Sequence, residues 1–195
     1  MTSPSEAEAH RSIEAEPRIR GAVVFVGPMG AGKSSIGRRV ARALNVPFTD
    51  TDTEIVRVHG PIADFFAREG EERFRAVERD AVRDALERPG VVALGGGAVL
   101  AAETRHLLRD HRVVLLTVDE ESIAHRIRGR RRPLLNGGDP LAEWARINAE
   151  RAPLYAEVAD VVFDTSRLPT QSTVDRVVEW VRDERRLATG QEEER

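Results

Sequence analysis

Gly27-Pro28-Met29-Gly30-Ala31-Gly32-Lys33-Ser34 satisfies the phosphate-binding pattern GxxxxGK[ST] at every fixed position. Just before it, Ala22-Val23-Val24-Phe25-Val26 is unbroken apolar, as a parallel strand buried on both faces requires. Just after it, Ile36, Val40 and Leu44 recur every four residues and mark one face of a helix from Ser34 to Leu44. Strand, glycine-rich turn and helix in that order form an anion cradle. Gly27, Gly30 and Gly32 let backbone N–H groups turn inward, and the helix N-terminus adds partial positive charge. In such a loop Lys33 reaches β- and γ-phosphate oxygens and Ser34 offers its hydroxyl to Mg²⁺. Lys33 is the only lysine among 30 basic residues, so a compact ammonium is used only where a tight loop demands one. The dinucleotide fingerprint GxGxxG fails, because Ser35 stands at its third glycine.

Working outward, apolar runs at Val46–Thr49, Val91–Leu94, Val113–Val118 and Val161–Phe163 alternate with helical patterns. That alternation predicts an α/β fold with a central parallel sheet of about five strands and helices on both faces. Ligands in such sheets bind at the carboxyl ends of the strands, and the motifs fall there. Residues 129–142 interrupt the pattern. They are basic, then rich in glycine and proline, which predicts a mobile lid. Residues 1–18 and 189–195 are polar and without apolar period, and are expected to be tails around a single domain spanning 19–188.

Composition narrows the function. The chain has 195 residues, 41 % hydrophobic and 32 % charged, enough for one good core. Its net charge of −3 offers no basic field for nucleic acid. Without cysteine there is no disulfide, thiolate zinc site or cysteine nucleophile. No apolar stretch reaches the ~18 residues of a membrane span, and the acidic N-terminus is unlike a signal peptide. A cytoplasmic location is the expectation.

Four further stretches carry chemistry. Phe48-Thr49-Asp50-Thr51-Asp52 places two carboxylates two residues apart after the second strand. One could support a metal and the other could accept or orient a hydroxyl proton. The same residues also read as a helix start, with Thr51 and Glu54 as a capping box. Gly70 to Glu78 opens a long helix with an apolar stripe of Phe74, Val77, Ala81 and Val82, and its Arg75 reads equally well as a surface ion-pair residue. Leu94-Gly95-Gly96-Gly97-Ala98 ends a buried strand in three glycines, a tight turn or a place where backbone meets a ligand. Glu150 to Tyr155, with Arg151 and Pro153, follows a helix and reads by itself as a kink. A nucleotide switch protein would carry an NKxD guanine motif and a DxxG after the third strand, and neither is present.

Taken together, GPMGAGKS at 27–34, FxDxD at 48–52, GExxFRxxE at 70–78, LGGGA at 94–98, RPLL at 132–135 and RAPLY at 151–155 resemble the shikimate kinase family. The resemblance spans about residues 22–182 and implies a three-layer P-loop kinase fold with a substrate-binding insert near 51–80. It implies transfer of the ATP γ-phosphoryl group to the 3-hydroxyl of shikimate by a monomeric enzyme, with Mg²⁺ as cofactor. It implies that Gly30, Ala31, Gly32, Lys33, Ser34 and Ser35 hold the phosphates. Ser34 and Asp50 would serve the metal. Asp52 would bind ring hydroxyls and act as base. Arg75 and Arg151 would clamp the carboxylate, while Gly96 and Gly97 offer backbone donors. Arg132 would reach the phosphates from the lid, and Arg126 and Arg167, within the loop around Pro169, would flank adenine. Ser35 departs from the family's usual threonine, and Pro61 from its usual Ser or Thr. The two clamping arginines and the glycine triplet argue against a related kinase acting on gluconate.

Overall fold

The structure is a computed structural model. It describes the backbone of residues 21–127 and 139–190, and the side chains of 21–126 and 139–183. Arg132, most of the expected lid and the expected N-terminal tail lie outside the described residues. Five parallel strands, β1 (Val23–Val26), β2 (Phe48–Asp50), β3 (Val91–Ala93), β4 (Arg112–Thr117) and β5 (Val161–Asp164), form one sheet in the order β2-β3-β1-β4-β5. All four pairings are parallel, with Val23 opposite both Val91 and Arg112.

The unbroken apolar strands are explained by burial on both faces. Val23 and Phe25 join Val91, Ala93, Val114 and Leu116 on one face, under α1 (Lys33–Ala43) and α7 (Thr170–Gly190). Ala22, Val24 and Val26 join Val92, Leu94, Val113 and Leu115 on the other. That second face is covered by α3 (Ile62–Leu86), by residues near α4 (Ala102–Leu107), and by Tyr155 of α6 (Pro140–Val158). The period of two in each strand thus assigns alternate residues to two separate cores. A third, small cluster of Ile55, Phe65 and Phe74 holds α2 (Thr51–His59) against α3.

Local expectations are corrected in four places. The second strand is Phe48–Asp50, so Val46 precedes it. The helix expected to open at Gly70 does so, but as the second of two helical pieces within α3 that meet at Gly70 (φ 81°, ψ 170°), the first starting at Ile62 with Pro61 as its cap. Only glycine adopts that conformation cheaply. The cap of α2 is Asp50, whose Oδ1 accepts from Thr53 N at 2.9 Å, instead of a Thr51–Glu54 box; Glu54 instead pairs with Arg57. The Arg151 segment lies inside α6 instead of after a helix. α6 itself starts at Pro140, capped by Asp139, so residues 140–142 of the expected lid are helical. α5 (Glu120–Ile127) precedes the undescribed stretch.

Candidate active site

A cleft of about 610 Å³ opens over the carboxyl ends of β1, β2 and β3. β1 lies between β3 and β4, so the cleft stands where the strand order reverses. Its floor is the loop after β1, with Gly27, Gly30 and Gly32 at φ 132°, 86° and 96°. An added Cβ at Gly27 would strike the Leu116 carbonyl, so the loop can approach β4 only as glycine. Gly32 is the N-cap of α1 and supplies no side-chain cap, which leaves the first-turn N–H groups directed at the cleft. Lys33 Nζ donates to Gly27 O at 2.7 Å and Pro28 O at 3.0 Å, folding the ammonium back over its own loop. Gly30 to Ser35 all line the cleft.

Asp50 and Asp52 line the opposite wall. Burial raises the Asp52 carboxyl from 3.8 to about 6; the Lys33 charge opposes this, and neighbouring Asp50 and Glu78 reinforce it. Asp52 therefore sits near the point of holding a proton at neutral pH. The glycine triplet has no positive φ, so conformational freedom does not explain it. Clearance does. A Cβ at Gly95 would lie 2.5 Å from Asp52 Oδ1 and 2.9 Å from Glu78 Oε1, and one at Gly97 would strike Arg75 Nη1.

Arg75 stands behind Gly97, beside the cleft wall. Burial opposes its charge, but Glu78 and Glu71 outweigh that and hold the guanidinium charged. Its Nη1 donates to Glu78 Oε2 at 2.6 Å, with the two side chains only 18 % and 5 % exposed. Glu78 is thus a site residue that sequence reasoning left in the background of its motif. α6 forms the third wall with Trp144, Ile147, Asn148, Arg151 and Tyr155, a run at helical spacing. Trp144 Nε1 donates to Met29 O at 2.9 Å, and Tyr155 Oη donates to Gly96 O at 2.6 Å. Burial pushes the Tyr155 hydroxyl up to about 12, so it stays a donor; Arg151 pulls the other way through charge and hydrogen bonding. Arg151 Nε is buried and has no hydrogen-bond partner among the described residues, a donor built for an anion. Arg126 Nη1 donates to Gly30 O and Thr165 Oγ1, and its Nη2 to Thr165 O, so it ties the phosphate loop to the end of β5. Arg167 is exposed and outside the lining, where its charge helps lower the Asp119 carboxyl after the larger effect of the Ser122 N–H.

The site therefore joins an anion cradle, a carboxylate with a raised pKa and an arginine with a buried, unpartnered Nε in one cleft. Comparison with known proteins agrees. The family model described as shikimate kinase matches residues 29–182. A shikimate kinase of Saccharopolyspora erythraea is 46 % identical over 172 residues, covering 87 % of this chain and 97 % of that one. One from Streptomyces avermitilis is 48 % identical over 146 residues, covering 73 % and 85 %. The solved shikimate kinase from Acinetobacter baumannii in complex with shikimate superposes with a TM-score of 0.79 at 33 % identity, covering 84 % of this chain and 94 % of that chain. By its phosphate loop, its cleft and these relatives alike, the chain belongs to the shikimate kinase family.

Proposed function

We propose that this cleft moves the γ-phosphoryl group of ATP onto the 3-hydroxyl of shikimate, giving 3-phosphoshikimate and ADP, through the residues assigned below. The chain is an ATP-dependent kinase of the shikimate pathway. The observation that carries the residue assignment is that Lys33, Asp52 and Arg151, the last with its buried unpartnered Nε, line one cleft.

The uncapped N-terminus of α1 and the loop N–H groups bind the phosphates. Lys33 exchanges its loop carbonyls for phosphate oxygens and offsets the charge spread over the transferring group. Arg151 holds the shikimate carboxylate by a charge-assisted pair, and Arg75 joins it from behind Gly97. Asp52 orients the acceptor hydroxyl. As the ring oxygen–phosphorus bond forms and the bond to the ADP oxygen breaks, Asp52 takes the hydroxyl proton. Ser34 and Asp50 give hard-oxygen donors on the cleft, which fit Mg²⁺, a cation that keeps waters and borrows phosphate oxygens. When bound there, Mg²⁺ neutralises phosphate charge. Asp50 serves this through the oxygen its Thr53 bonds leave over. Arg126, fixed on Gly30 and Thr165, borders the nucleotide side. Arg132 would close on the phosphates, and Arg167 would flank the base. We assign the enzyme as a cytoplasmic monomer; among the described residues no helix is long and apolar enough to cross a membrane.

The test is ADP release by the purified chain with ATP and Mg²⁺ against shikimate, quinate and gluconate. Shikimate should be strongly preferred. Equal or faster turnover of gluconate would refute the assignment.

A further inference from the structure

Thr51 is fully buried, with 0 % exposure, yet it carries a hydroxyl and stands between the two acidic residues of the site. The sequence pattern makes it a helix cap, but Asp50 performs that task. The released hydroxyl crosses to the neighbouring strand. Thr51 Oγ1 accepts from Gly95 N at 3.1 Å and donates toward Ala93 O at 3.4 Å. The β2–β3 ladder ends where Asp50 faces Ala93. One residue further on, a side chain supplies the next rung between the chain that becomes α2 and the glycine triplet.

That rung controls a tight region. Asp52 Oδ1 and Glu78 Oε1 both occupy the space that a Cβ on Gly95 would need, and Arg75 occupies that of a Cβ on Gly97. A slip of α2 relative to Gly95 would move Asp52 against all of them. Thr51 does not line the cleft and so does not touch a ligand there. β-Branching holds its χ1 in few rotamers, which keeps the hydroxyl aimed. We propose that Thr51 is a positioning residue for the acceptor side of phosphoryl transfer. Its hydroxyl locks the start of α2 to the glycine triplet and thereby sets Asp52 against the acceptor hydroxyl. This rests on the reading of Asp52 given above.

The test uses the full-length enzyme with ATP, Mg²⁺ and shikimate. Thr51→Val keeps the shape, removes donor and acceptor together, and leaves the buried Gly95 N–H without a partner. Its kcat/KM for shikimate should fall by about tenfold or more. ATP affinity measured without shikimate should stay within about twofold, and Thr51→Ser should recover most of the loss. If the valine variant does not fold, Thr51→Ala, which also removes the hydroxyl, carries the same comparison. Normal kcat/KM with only a lowered Tm overturns the proposal. So does an equal loss of ATP affinity, or a serine variant no better than valine. Asp52→Asn assayed alongside separates the two readings. Full shikimate turnover in that variant overturns the role of Asp52, and this inference with it. Loss in Asp52→Asn with none in Thr51→Val overturns this inference alone.

Discussion

Gly97→Ala tests whether the glycine triplet exists to make room for side chains. The φ of Gly97 is −95°, which alanine adopts freely, and the backbone N–H is kept. The added Cβ would strike Arg75 Nη1 and stand 3.0 Å from both Cζ and Nη2. Carbon contacts settle at ~3.5 Å or more, so the guanidinium must retreat by about half an ångström or more at Cζ. It cannot do so and keep its 2.6 Å bond to Glu78. A charge-assisted hydrogen bond contributes ~1.5–3 kcal/mol, so mis-setting the clamp should raise the shikimate KM ~10- to 100-fold. Only the end of a flexible side chain moves, so Tm should shift by no more than a few degrees. Coupled measurement of ADP release across shikimate concentrations, with calorimetric ATP binding and thermal unfolding, reads all three. A shikimate KM within about twofold of the parent refutes the argument, as does collapse of the fold. Gly96→Ala is the control for folding, since its Cβ meets nothing closer than 3.6 Å in the unliganded structure.

Asp52→Asn should stabilise the unliganded protein more at pH 8 than at pH 5. The raised value of about 6 means that the fold favours the proton, a contribution present below 3.8 and lost as pH rises through 6. Equal Tm shifts at both pH values would contradict it. For the same reason kcat/KM of the parent should fall on the acid side of about pH 6. Lys33→Met should abolish transfer and leave the circular dichroism spectrum unchanged, because its bonds to Gly27 O and Pro28 O stay within its own loop. Lys33→Arg should also lose most activity. Arg151→Ala should weaken shikimate binding by ~2–4 kcal/mol and spare ATP, as calorimetry with each ligand would read; the opposite order would remove it from the carboxylate clamp. Tyr155→Phe deletes the 2.6 Å bond to Gly96 O and should cost ~1–3 kcal/mol of unfolding free energy in urea; no change in stability would show that the carbonyl finds another donor.

What the sequence revealed depended on how local the cause was. The strand–loop–helix unit around Lys33 was legible because periodicity, glycines and motif coincide within about twenty residues. The sheet was legible because a strand buried on both faces must be apolar throughout. The glycine triplet was visible as unusual, but its reason was not, since the groups that need the space come from α2 and α3. Thr51 misled for the same reason: a capping pattern is local, whereas its bonds go 42 and 44 residues away. Arg75 read as an ordinary surface ion pair until Glu78 was found buried beside it. The Trp144–Met29 bond, across 115 residues, leaves no trace in either segment alone.

The solitary lysine has a chemical consequence. Reagents that acylate ε-amines find a single such group in this sequence, and it lies on the floor of the nucleotide cleft. Label incorporated at that amine therefore counts sites, and the fraction shielded by nucleotide measures occupancy directly. Coupling this enzyme to a surface through lysine would attach it by its own phosphate loop, so a support that retains activity must capture it through carboxylates or arginines instead.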